Sequence, residues 1–177
     1  MKKICISLFL ISIIILTVTV SSGSQNEQNE YLRIHIRANS NSVEDQNVKY
    51  EIKEALVKYL TPFIANCNTK KQAISLIKNK QSVLTKIANE ILLKKGFNYL
   101  SKVAVRNEEF PTRVYEDLTL EKGYYDAVIV ELGRATGDNW WCVVYPPMCF
   151  TGNESGIVYK SKILEIIKNF KNRISAL

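Results

Sequence analysis

Hydrophobic and polar positions change period several times along the chain. Ile4 to Val20 is an uncharged run, preceded by Lys2 and Lys3 and followed by Ser21-Ser22-Gly23-Ser24. A basic start, an apolar middle and a small-residue exit describe a secretion signal. The run is slightly long for a signal and slightly short for a comfortable membrane span. Residues 1–22 are therefore expected to be a signal peptide or a membrane anchor, with residues 4–20 as the tether in the second case. Residues 23–30 are polar and aperiodic and read as a tether. Tyr31 to Arg37 then alternates, with Ile34 and Ile36 on one side and Arg33, His35 and Arg37 on the other, the pattern of a half-buried strand.

Ser42 followed by Asp45 resembles a capping box, and Glu44 and Asp45 place negative charge at a helix start. The helix predicted from there carries Val48, Ile52, Leu56, Tyr59 and Phe63 on one stripe, and Pro62 is expected to kink or end it. Thr69 and Gln72 open a second helix whose stripe runs from Ala73 through Leu76, Ile77, Leu84 and Ile87 to Ile91. An interruption is expected near Asn79-Lys80 and a stop at Lys94-Lys95-Gly96. From Tyr99 the period falls to two. Strands are predicted over Tyr99–Arg106, Tyr124–Leu132 and Trp140–Tyr145, the last ended by Pro146-Pro147, and a final helix over Tyr159–Leu177. Early helices followed by consecutive strands indicate an α+β domain over residues 31–177, with an antiparallel or mixed sheet of about four strands and helices packed on one face. The last three strands are expected to form a meander that the first strand joins.

The composition adds compartment and charge. A chain of 177 residues, 46% hydrophobic, can bury one core. Without residues 1–22, which carry two lysines and no acid, the formal charge falls from +7 to +5. This surplus is spread along the chain with no arginine-rich block, so a solvated basic surface is favoured and no nucleic-acid partner is indicated. Cys5 lies in the leader. Of Cys67, Cys142 and Cys149, an exported protein is expected to bridge two. Cys142 and Cys149 enclose six residues, two of them prolines, and a bridge there would close a tight loop at a strand end, leaving Cys67 free between the helices.

Candidate chemistry is sparse. One histidine and scattered thiols give no zinc-ligand spacing, so no metal is expected. His35 with Cys142 would make a thiol hydrolase of the Cys-His type; the alternative is that His35 hydrogen-bonds the Asn39-Ser40 turn and braces the strand-to-helix junction. The adjacent carboxylates Glu44-Asp45, Glu108-Glu109 and Glu116-Asp117 do not face each other on a helix. Gly133 to Gly137 is too short for a phosphate loop and lacks its lysine. Trp140 and Trp141 must point to opposite faces of a regular strand. Trp141 is expected inward with Val143 and Tyr145, leaving Trp140 as a candidate contact anchor beside Cys142. The aromatic and basic surface also admits a wall-binding module.

Several segments together carry a resemblance. NWWCVVYPPMCF, from Asn139 to Phe150, resembles the signature of the stage II sporulation protein R family, exported signalling proteins of endospore-forming bacteria. RIHIRANSNSVEDQNVKYEIKEAL resembles the family's N-terminal block, including His35 and the Asn39-Ser40 turn, and FPTRVY and GYYDAVIVELG fall in order between the two. Asn139, Trp140, Trp141, Pro146 and Pro147 are the family-motif positions of the second block. Glu121 stands where the family is expected to have proline. The resemblance implies a protein with no catalytic residues or cofactor, made in the forespore and secreted across its membrane into the intermembrane space. There it would activate a membrane-embedded aspartic protease of the mother-cell side, which processes a sigma factor precursor.

Overall fold

The computed structural model describes residues 30–115, 118–150 and 157–176. The expected leader and nearly all of the expected polar tether lie outside these residues. The elements, in order, are β1 (Leu32–Arg37), α1 (Val43–Ile64), α2 (Lys70–Lys94), β2 (Ser101–Phe110), β3 (Arg113–Tyr115), β4 (Leu118–Leu120), β5 (Gly123–Leu132), β6 (Asn139–Tyr145), a 3-10 turn (Met148–Phe150) and α3 (Ile157–Ile174). The expected α+β class holds: a mixed four-stranded sheet and three helices among the described residues.

The strand order corrects the expected meander. It is β2-β5-β1-β6, so β1 lies inside the sheet, parallel to β5 and antiparallel to β6. Leu32, Ile34 and Ile36 share a face with Val128 and Val130 of β5, Val103 of β2, and Trp140 and Cys142 of β6. The helices cover this face. Ser101 donates to Asn89 of α2, and Lys70 at the start of α2 pairs with Asp126. The buried helical positions are Val48, Ile52, Leu56, Leu60 and Ile64 from α1, and Ala73, Ile77, Leu84, Ala88 and Leu92 from α2.

Local rules explain the helix limits. Ser42 caps α1, its hydroxyl accepting from the Asp45 amide at 3.2 Å, and Thr69 caps α2 in the same way with Gln72. Pro62 falls in the last turn, and α1 runs two residues past it. The buried stripe ends on Leu60 and Ile64 in place of the expected Tyr59 and Phe63. Those two rings pack against each other at a tilt instead, and the Lys80 ammonium lies 3.6 Å from the Phe63 centroid. That contact occupies Lys80 where an interruption was expected, and α2 is continuous.

The sheet departs from regularity in two places. A register shift lies between Leu32 and Arg33 opposite β6, where Tyr145 pairs with Leu32 and Val143 with Arg33. Val144 is thus the extra residue of a bulge. It brings Tyr145 to the helix-covered face, where its ring meets Phe170 of α3, so Tyr145 does not share a face with Trp141 as the simple alternation implied. On the other side of β1, β5 and the edge strand β2 are ten-residue strands, four residues longer than β1. Their far ends bend back across β1, because Glu108, Phe110 and Tyr125 all reach its side chains. The short β3–β4 ribbon continues this cover and pairs with no strand of the main sheet.

Candidate functional site

Two polar clusters are built around β1. The first closes its exit. Asp45, 4% exposed, is the common acceptor: Asn39 Nδ2 donates at 2.8 Å, Ser40 Oγ at 2.5 Å, and the Tyr99 hydroxyl to the other oxygen. Burial alone would raise the Asp45 pKa, but the bonds from Ser40, Tyr99 and Asn39 outweigh it and hold the carboxyl below its ordinary value. Burial first, and then the carboxylate, push the Tyr99 phenol up. Asn39 also ties in the β5–β6 loop, its Oδ1 accepting from the Arg134 amide at 2.9 Å and its carbonyl from Thr136 Oγ1 at 2.8 Å.

The glycines of that loop are explained by this approach. A Cβ on Gly133, whose φ is +55°, would lie 2.3 Å from Asn39 Oδ1, and one on Gly137 would lie 2.1 Å from the Ser40 carbonyl oxygen. Lys49, almost wholly buried, completes the junction by donating to Gln46 and to the Asp138 carbonyl. The junction is therefore a knot between β1, α1 and the β5–β6 loop.

The second cluster occupies the sheet face expected to meet solvent. That expectation is corrected: Arg33 is 0% and His35 5% exposed, because the bent ends of β2 and β5 cover them. His35 does not bond the Asn39-Ser40 turn. Its Nδ1 lies 2.9 Å from Glu108 Oε1, and its ring stacks on Trp141 and meets Phe110 edge-on, with centroids 5.2 and 5.7 Å away. Burial lowers the His35 pKa against the opposing effect of Glu108 and nearby Asn139. Burial would by itself raise Glu108, but its bonds to His35 and Arg106 and the charge of Arg37 hold it low. Arg37 and Arg106 each bridge Glu108 and Glu131. In the sequence Glu108 reads only as half of an acidic pair. Continuing the β2 alternation past Arg106 would have placed it on this face.

The thiol-hydrolase pair does not assemble. Cys142 pairs across the sheet with Ile34 and so faces away from His35. Its sulfur is bonded to Cys149, with the Cα atoms 5.9 Å apart, as expected. Cys67 is free and buried between α1 and α2, and burial raises its pKa. Trp140 and Trp141 do take opposite faces, yet neither is simply inward or outward. Both are half-buried: Trp140 lies under Lys53 of α1, whereas Trp141 lies between His35 and the Arg113 guanidinium. Pro146 and Pro147 are buried, and their carbonyls accept from Met148 and Phe150 to form the 3-10 turn inside the disulfide loop. At Glu121, Thr112 holds the turn by donating to the carboxylate and accepting from the Lys122 amide. Among the described residues no group of three or more His, Cys, Asp or Glu is placed to hold a metal.

The chain is thus a disulfide-closed α+β domain whose inner strand β1 carries one buried polar face. The family model for stage II sporulation protein R matches residues 28–155, which span both clusters and the disulfide loop, and the chain belongs to that family. Stage II sporulation protein R of Bacillus subtilis (strain 168) is 32% identical over 173 residues, covering 92% of this chain and 77% of the relative. No solved structure matches the chain.

Proposed function

We propose that this chain is an exported sporulation signal, released across the forespore membrane, that activates a membrane-embedded aspartic protease on the mother-cell side and so triggers processing of a sigma factor precursor. The observation that carries this reading is family membership across the folded part of the chain. The Cys142–Cys149 bridge is in keeping with an oxidising compartment beyond the membrane, and the basic and apolar leader with export. A non-enzymatic role accords with the separation of His35 from Cys142 and the bridging of that thiol.

The test is reconstitution in a heterologous bacterium carrying the protease and the sigma factor precursor. Cleavage of the precursor is expected with the full chain and not with a chain lacking residues 1–22. Equal cleavage with both forms would refute export as the route of action. No cleavage with a folded, exported chain would refute activation.

A further inference from the structure

Arg33 is the least expected side chain in the molecule. Its guanidinium is fully buried yet makes one hydrogen bond among the described residues, from Nη2 to the Tyr115 hydroxyl at 2.9 Å, and no described carboxylate pairs with it. Nε and Nη1 are buried without a partner, as is Nε2 of His35 two residues along the same face. Aromatic rings surround the cation: Phe110 at 4.2 Å, Tyr125 at 4.7 Å and Tyr115 at 5.8 Å from ring centroid to guanidinium carbon. Ring faces attract a cation, but they do not satisfy the in-plane N–H donors of Nε and Nη1. Buried charge without hydrogen-bond partners is costly, and orphaned donors of this kind are rare enough to require an explanation.

The remainder of the face narrows the explanation to an anion. Its carboxylates among the described residues, Glu108 and Glu131, are already engaged by Arg37 and Arg106, so among those residues Arg33 and Arg113 are left as surplus positive charge. The cover over Arg33 is held by side-chain packing, with Leu120 of β4 buried in the core. Tyr115 belongs to the β3–β4 ribbon, which has three residues per strand and no ladder to the main sheet, and Val114 beside it is 68% exposed. A two-stranded ribbon of this length is marginal by itself.

We propose that Arg33 is a recognition site for a carboxylate side chain of a partner protein, and that the β3–β4 ribbon is the flap that lifts to admit it. Once Tyr115 lets go of Nη2, that nitrogen and either orphaned neighbour, Nε or Nη1, form the planar fork that a carboxylate accepts in bidentate fashion, and Phe110 and Tyr125 form a dry wall that strengthens the pair. Tyr115 holds the guanidinium until the carboxylate replaces it. The partner's being a protein rests on the signalling reading above; the carboxylate chemistry rests on Arg33 alone.

The experiment uses the purified protein with acetyl-tetraglutamate amide as the probe, and so does not depend on precursor cleavage. The Arg33 Nε–H resonance and the amide exchange of residues 113–115 and 118–120 are followed during titration. The Nε resonance is expected to shift and the ribbon amides to lose protection. The tetraglutamine peptide should do neither, and acetate at equal carboxylate concentration should act at least roughly tenfold more weakly. Arg33→Met should keep or raise the unfolding midpoint, since an apolar replacement removes a buried charge, while weakening the peptide response by roughly tenfold or more. An Nε resonance indifferent to the acidic peptide overturns the proposal. So does a response to acetate as strong as to the peptide, or a peptide response that survives intact in Arg33→Met.

Discussion

Replacing Asp45 by alanine tests whether its carboxylate organises the exit of β1. Three side chains donate to it, Asn39, Ser40 and Tyr99, and Asp45 itself is 4% exposed. A hydrogen bond to a charged group contributes about 1.5–3 kcal/mol. Asn39 and Ser40 are half-buried and regain some water, so the three losses do not add fully. The expected cost of Asp45→Ala is about 3–5 kcal/mol, a large share of the ~5–15 kcal/mol that stabilises a typical domain. Asp45→Asn should cost less, about 1–2 kcal/mol. Its carbonyl can still accept from Asn39 and Ser40, and the Tyr99 hydroxyl can rotate to accept from its amide.

Urea denaturation at pH 7, followed by circular dichroism, reads both variants. At a typical slope of ~2 kcal/mol/M the alanine midpoint should fall by about 2 M. Amide exchange gives the local signature. The Arg134 and Gly137 amides, which bond to Asn39 and Ala38, should lose protection before the helices do. The pH dependence follows from the depressed pKa. The contribution of Asp45 is complete above its ordinary 3.8 and is lost as pH falls through the lower folded value. Asp45→Asn should therefore be the less acid-sensitive protein below pH ~4. An alanine variant within about 1 kcal/mol of the parent, or an asparagine variant as damaged as alanine, would refute the account of Asp45 as the shared acceptor.

Further outcomes follow from the site. The lowered His35 pKa means that stability is full above the ordinary 6.5 and is lost as pH falls through the folded value; unfolding midpoints at pH 5 and 7.5 should diverge in the parent and converge in His35→Gln. Truncating either half-buried tryptophan to alanine should cost less than the ~3–5 kcal/mol of a fully buried ring. Trp141→Ala, but not Trp140→Ala, should move the His35 titration seen by NMR back towards 6.5, because only Trp141 stacks on it. Cys149→Ser should lose about 2–3 kcal/mol from opening the loop, whereas native Cys67 should resist alkylation until unfolding, in keeping with its burial and raised pKa.

The sequence showed those features that neighbours in the chain determine. Ser42 and Thr69 cap because their hydroxyls meet amides three residues on, and Cys142 and Cys149 bridge across one short turn. What it concealed was placement across long separations. Arg33, His35 and Arg37 alternate with isoleucines as a solvent-facing set would, and period alone cannot tell such a face from one covered by another segment. The cover comes from Glu108, Phe110, Tyr115 and Tyr125, more than seventy positions downstream. The Gly133–Gly137 loop was legible only as an absent phosphate loop, since the reason for its glycines is the side chain of Asn39 and the backbone of Ser40. His35, Asn39 and Ser40, grouped in sequence as one junction, therefore divide between two sites. Asn39 and Ser40 answer to Asp45 and the loop, whereas His35 belongs with Glu108, Trp141 and the buried Arg33 face. A variant of Asn39 should thus disturb folding at the junction, and a variant of Arg33 should disturb recognition while the fold persists.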